Sequence, residues 1–169
     1  TWFWPSTGLS CISVALAMAY AGARGETEQQ MAEVLHYDLP QDQLHPAINA
    51  VALELASRGD PAEEDPEQRF RLIVANSIWG QAGYSFREEY LDVLALNYGA
   101  GLRLLDFESA PEESRVAINQ WVIDRTNGLI QDLIPEGIIN TMTRLVLTNA
   151  VYFRAPWKYP FDDGNTNDG

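Results

Sequence analysis

The spacing of apolar residues changes once along the chain, near Phe70. Ahead of that point it follows helical spacing. "ISVALAMAYAGA", residues 12–23, is small and apolar nearly all round, which predicts a helix buried in a core. "GARGE" breaks it. Thr27 and Gln30 then stand at capping-box spacing, opening a helix whose apolar face is Met31, Val34 and Leu35. A third helical pattern, roughly 43–58, carries Leu44, Ile48, Val51, Leu53 and Leu55. "RGDPAEEDPEQ" has two prolines and five acids and reads as a solvated loop, its RGD being a short tripeptide common by chance. From Phe70 the pattern alternates: Phe70, Leu72 and Val74 against Arg71, Ile73 and Ala75, continuing through "NSIWG" as a strand. Ser85 and Glu88 repeat the capping-box spacing before a helix that Gly99 ends. "GLRLLDF" is a short strand. "APEESRVAINQWVIDRTNG" is a helix with acids in its first turn and Gly128 as its stop.

The last element is "RLVLTNAVYF", residues 144–153, a strand expected to be buried on both faces. Asn149 interrupts it, although strands generally exclude asparagine. The predicted order is three helices, strand, helix, strand, helix, strand. Helices lie both before and between the strands, which favours an α+β fold. No Gly-rich phosphate loop follows any strand, which argues against a nucleotide-binding sheet.

Composition narrows the functions. A hydrophobic fraction of 46% over 169 residues supports one domain with a real core. A net charge of -13 repels phosphate backbones and anionic bilayers, excluding nucleic-acid and membrane partners. Cys11 is the only cysteine, so an intrachain disulfide cannot form and the redox compartment stays open. The two histidines, His36 and His45, have no His or Cys at i+3 or i+4, so no metal is expected. His36, near a helix end, is expected to serve as a capping or dipole partner. In "TGLSCIS" Ser10 follows Gly8, but Ile12 replaces the second glycine of a nucleophile elbow and no strand precedes it. "DDGNTNDG" lacks the sixth-position glycine and the closing glutamate of a calcium loop. No catalytic residue and no cofactor are expected. The chain begins at Thr1 without a methionine and stops in a turn-like run, so it is expected to be a piece of a longer protein.

Several segments together resemble the serpin family. "ISVALAMAYAGARGETEQQMAEVLHY" is similar to its second and third helices. "ANSIWGQAGYSFREEYLDVLALNYGAGLRLLDF" resembles strand two of the large central sheet, the next helix and strand one. "INQWVIDRTNGLIQDLIPEGIINTMTRLVLTNAVYFRAPWKYPFD" is the most specific piece. It holds in order the asparagine, Trp-Val, Thr-x-Gly, Ile-x-x-Leu-Ile-Pro, Leu-x-Asn-Ala-x-Tyr-Phe and Trp of the family pattern.

The resemblance implies a serpin-like α+β fold, with helices packed on strands one to three of the large central sheet. The fold is incomplete: residues 1–169 are the N-terminal portion of a single domain, truncated before the reactive loop. It further implies inhibition of serine or cysteine proteases as suicide substrates, the cleaved loop inserting as a new strand, a known case of strand addition. An extracellular location follows from the resemblance alone. Residues 144–153 would be strand three, which parts from its neighbour to admit the loop. Asn149 matches the asparagine of the shutter, the polar cluster beneath that opening. Trp157 matches the tryptophan of the breach, where insertion starts. The family's Ser-Pro-x-Ser before the second helix is represented here by Gly8, Leu9, Ser10 and Cys11. Cys11 stands where a shutter hydroxyl is expected and is a weaker donor, while Ser10 or Ser6 could substitute in a shifted register. The isolated fragment, lacking the strand that should flank strand three, is expected to self-associate.

Overall fold

The period change at Phe70 is where helix gives way to sheet. The computed structural model describes residues 7–57, 71–99 and 101–155. Their order is α1 (Thr7–Tyr20), α2 (Glu26–Leu35), α3 (Gln41–Ala56), β1 (Arg71–Gln81), α4 (Glu88–Tyr98), β2 (Arg103–Leu105), α5 (Pro111–Arg125) and β3 (Leu145–Arg154). This is the expected succession, and the fold is α+β.

Among the described residues β1 is the central strand of a sheet ordered β2-β1-β3. β2 runs parallel to its end, with Trp79 opposite Arg103. β3 runs antiparallel along its whole length, from Arg71 opposite Arg154 to Gly80 opposite Leu145. Strand alternation then sends neighbouring residues to opposite layers. Ile78 and its partner Leu147 pack on Met18 of α1 and on Tyr90 and Leu94 of α4. Trp79 and its partner Val146 pack on the other side, against Phe107, Ile118, Ile134 and Ile139. Small residues let α5 come close there: Ala75 and Ala150, paired across the strands, meet Val122. Each fully buried side chain of the size of Ile78 or Phe107 contributes about 1.5–3 kcal/mol of burial.

Several boundaries move for identifiable reasons. α1 already includes Thr7, well ahead of the apolar run at Ile12. Neither capping box forms. Gly25, at φ 62, turns the chain early, so Thr27 lies inside α2 and Gln30 Nε2 donates to Glu26 Oε1 at 3.1 Å instead. Ser85 does not cap α4, which begins at Glu88 after Arg87. The approach is held extended by Phe86, whose ring sits where a Cβ on Gly80 would lie, 2.6 Å away. His36 does end α2, through its backbone in the left-handed region at φ 55. Gly99 ends α4 in the same region. β3 is less enclosed than expected. Thr148 and Ala150 are buried, but Leu145 and Phe153 remain exposed, β3 being an edge strand among the described residues.

Candidate functional site

Asn149 lies directly opposite Asn76 in the β1–β3 ladder. Residues facing each other across an antiparallel pair project to the same side, so both amides point toward the α1 layer, two residues from Ile78 and Leu147. Asn149 Nδ2 donates to Asn76 Oδ1 at 2.6 Å. Both residues are half-buried. The apolar strand tolerates an amide because a second amide faces it.

The next rung is pinned on the opposite layer. Thr148 and Ser77 are partners, both buried. Trp79 Nε1 donates to Thr148 Oγ1 at 3.2 Å, and Thr148 Oγ1 donates to the Ser77 carbonyl at 3.2 Å. Side-chain bonds thus cross between β1 and β3 on both faces of the sheet, on successive rungs. Together with the backbone ladder, these bonds hold β1 and β3 as one unit.

α5 closes the second layer over this ladder. Trp121 meets Trp79 edge to face, with centroids 5.6 Å apart at 85°. The Arg103 guanidinium lies 5.4 Å from the Trp79 ring and 5.6 Å from Trp121. Asn119, buried on α5, clamps the segment leading to β3: its Nδ2 donates to the Ile134 carbonyl at 3.0 Å, and its Oδ1 accepts the Ile134 N–H at 2.9 Å. Arg115 Nη1 donates to the same carbonyl at 2.9 Å while its other nitrogens pair with Glu112. At the end of β1, Gln81 Nε2 donates to Asp106 Oδ1 at 3.2 Å and Gln81 Oε1 accepts the Glu108 N–H at 3.1 Å. The Ser109 N–H, with help from Gln81, holds the Asp106 carboxyl below its ordinary range.

The other sequence-derived candidates fall differently. Ser10 and Cys11 belong to the first turns of α1, a helix in contact with β3, but their side chains lie outside the described residues. Ser10 is on a helix rather than a strand-to-helix turn, so it does not sit on a nucleophile elbow. Trp157 lies outside the described residues. Among the described residues, no three His, Cys, Asp or Glu side chains come together as a metal site. No described helix is long and apolar enough to cross a membrane. Asn76 was not singled out by its sequence, although "ANSIWG" carries the same oddity as the last strand, one amide within an apolar strand. Two such amides in one chain are the signal that they pair.

The strand order, with a central strand flanked by a parallel and an antiparallel neighbour, can be compared with known proteins. The model of the family described as Serpin (serine protease inhibitor) matches residues 10–169. The chain belongs to the serpin family. Serpins are protease inhibitors, and the curated relatives include several. Mouse antithrombin-III is 39% identical over 159 residues, covering 92% of this chain and 33% of that protein. Rat leukocyte elastase inhibitor A is 36% identical over 157 residues, covering 93% of this chain and 39% of that protein. The chain therefore spans between a third and two fifths of the length of these relatives. Among solved structures, an Arabidopsis serpin in its native stressed conformation superposes with a TM-score of 0.79 at 30% identity, covering 95% of this chain and 39% of that one. Uncleaved ovalbumin gives 0.76 at 27% identity, covering 92% and 40%. In serpin terms β2, β1 and β3 correspond to strands one, two and three of the large central sheet.

Proposed function

We propose that this chain is the N-terminal portion of a single inhibitory serpin domain, whose protein traps serine or cysteine proteases as a suicide substrate and is not itself an enzyme. The observation carrying this reading is the amide pair Asn149–Asn76 at the centre of the β1–β3 ladder. It supports a shutter role: the amide bond keeps β3 joined to β1 while a strand enters at the free edge of β3, and Asn149 can exchange further partners as that edge opens. Trp157, the tryptophan that closes the ordered family pattern, is assigned to the breach, and Cys11 and Ser10 to the α1 side of the shutter. In this reading the reactive loop lies beyond Gly169, inserts beside β3, and selects the protease. The edge of β3 is then the acceptor, and residues 1–169 taken alone satisfy that edge by self-association. The test is incubation of the protein expressed from its full reading frame with a panel of serine and cysteine proteases. A complex surviving boiling in detergent is expected. Its absence with every protease removes the inhibitory reading.

A second reading is favoured by Gly8, Leu9 and Cys11, which replace most of the family's Ser-Pro-x-Ser. It makes the protein a non-inhibitory serpin-like binding protein. Thermal melts before and after loop cleavage separate the two: a large rise in Tm on cleavage requires strand insertion and excludes the second reading.

A further inference from the structure

Among the described residues, His45 is the most deeply buried titratable side chain outside the strand ladder, at 2% exposure. Its Nδ1 is bonded to the Tyr98 hydroxyl at 2.6 Å, joining α3 to the last residue of α4. Its Nε2 is buried with no hydrogen-bond partner among the described residues. The ring leans on Tyr98 at 5.8 Å and on Tyr20 of α1 at 6.1 Å.

The position along α3 matters. His45 closes the first turn, and Pro46 follows inside the helix. Proline supplies no N–H, so the carbonyl of Asp42 loses its helical donor there, and the ring crowds the same group. One backbone bond between the first turn and the rest of α3 is thereby missing, although the helix runs on unbroken to Ala56. That turn is anchored to α1 and α2 by Gln41, whose Nε2 donates to the Tyr20 and Ala23 carbonyls and to Glu28 Oε1. His45 is what ties it to α4. Beyond Pro46, α3 exposes Val51 and Leu53 and roofs a cavity of about 330 Å³ with walls from Val14, Met18, Asn76 and Tyr98.

We propose that His45 is an acid-sensitive latch: protonation of its ring frees the first turn of α3 from the end of α4, where Tyr98 forms a wall of the cavity that Asn76 borders. A neutral ring fits this site, with one nitrogen bonded and the other merely enclosed. A charged ring carries a second N–H with no acceptor and must lose its hydration. The groups facing it offer no compensating charge. Tyr20 from α1, Tyr37 after α2 and Tyr98 from α4 are phenols that burial pushes up, so they stay neutral. Arg24, after α1, is a cation fixed by bonds to the Ala21 and Ala23 carbonyls and to Gln41. Glu28 of α2 is held by Gln41, and Asp42, one turn before His45 on α3, is exposed.

Burial first, then Arg24, lowers the His45 pKa from its ordinary 6.5. The released state, with an ordinary imidazole, binds more protons than the closed one between the two values. Closure is therefore fully favoured above pH 6.5 and lost as pH falls below it. The opening equilibrium grows at most tenfold per pH unit, up to about 30-fold between pH 7.5 and 5.0. Carboxylates held low, such as Asp106 and Glu112, titrate further down and lie outside this window.

The test is hydrogen–deuterium exchange of the protein expressed from its full reading frame, corrected for intrinsic rates, at pH 7.5 and 5.0. Protection of α3 and of the end of α4 is expected to fall by an order of magnitude or more at pH 5.0. His45→Gln, which keeps an amide for Tyr98 but cannot gain a proton, abolishes the change, whereas His36→Gln leaves it. Unchanged protection in the parent protein, or the same loss in His45→Gln, overturns the latch. Should His45→Gln fail to fold, ring titration of the parent by NMR decides. A His45 midpoint below 6.5, coincident with the loss of protection, upholds the proposal; one at or above 6.5 refutes it.

Discussion

Replacing Asn149 and Asn76 by alanine, singly and together, tests whether the two amides act as a unit. In the closed ladder Asn149 Nδ2 lies 2.6 Å from Asn76 Oδ1, and both side chains are half-buried. A neutral hydrogen bond contributes about 0.5–1.5 kcal/mol net, and leaving one enclosed partner unmade costs about 1–3 kcal/mol. Partial solvent access at this rung places each single variant toward the lower half of that range. The double variant leaves no orphaned amide, so its loss is smaller than the sum of the singles, by about 0.5–1.5 kcal/mol. The assay is denaturant unfolding of the protein from its full reading frame, following the first transition by tryptophan fluorescence, since Trp79 and Trp121 sit against this ladder. An m-value shared by the four proteins makes the midpoints comparable. Additivity to within about 0.3 kcal/mol would refute the pairing, and with it the reading of Asn76 as the partner that permits Asn149 in the strand.

Three further outcomes follow from the packing. Gly80→Ala places a Cβ 2.6 Å from the Phe86 ring and is expected to destabilise by about 1–3 kcal/mol, with much of the loss recovered by adding Phe86→Leu; thermal melts of the two variants check this. Asn119→Ala strips both bonds to the Ile134 main chain but leaves Arg115 on its carbonyl. A loss of about 2–4 kcal/mol and faster hydrogen exchange around residues 130–136 are expected, and an unchanged exchange pattern would contradict the clamp. Residues 1–169 expressed alone are expected to form oligomers that grow with concentration in light scattering; a monodisperse monomer with a cooperative melt would show that the β3 edge is not sticky.

The elements themselves were legible because their signals are local. The alternation from Leu72 to Ile78, the stop at Gly99 and the apolar run at Ile12 each depend on neighbours within a turn or a rung. Both capping boxes failed for the same reason in reverse. Thr27 and Ser85 have the right spacing, but Gly25 turns the chain early at one site. At the other, Phe86 is pulled onto Gly80 by a contact the local sequence does not contain. His36 caps by backbone dihedral rather than by its ring, which composition alone could not distinguish.

The sequence by itself determined the order of helices and strands, the α+β class, and, through the ordered pattern from Ile12 to Phe161, the resemblance to serpins. It also made Asn149 conspicuous. Only the tertiary structure decided what Asn149 faces, because the register that sets Asn76 opposite it joins positions far apart in the chain. The same holds for Trp79 on Thr148 and for His45 on Tyr98. A hydrophobic period says which side of an element is buried. Which polar group waits there is settled by strand register and helix docking, which decide the partner each enclosed polar group meets.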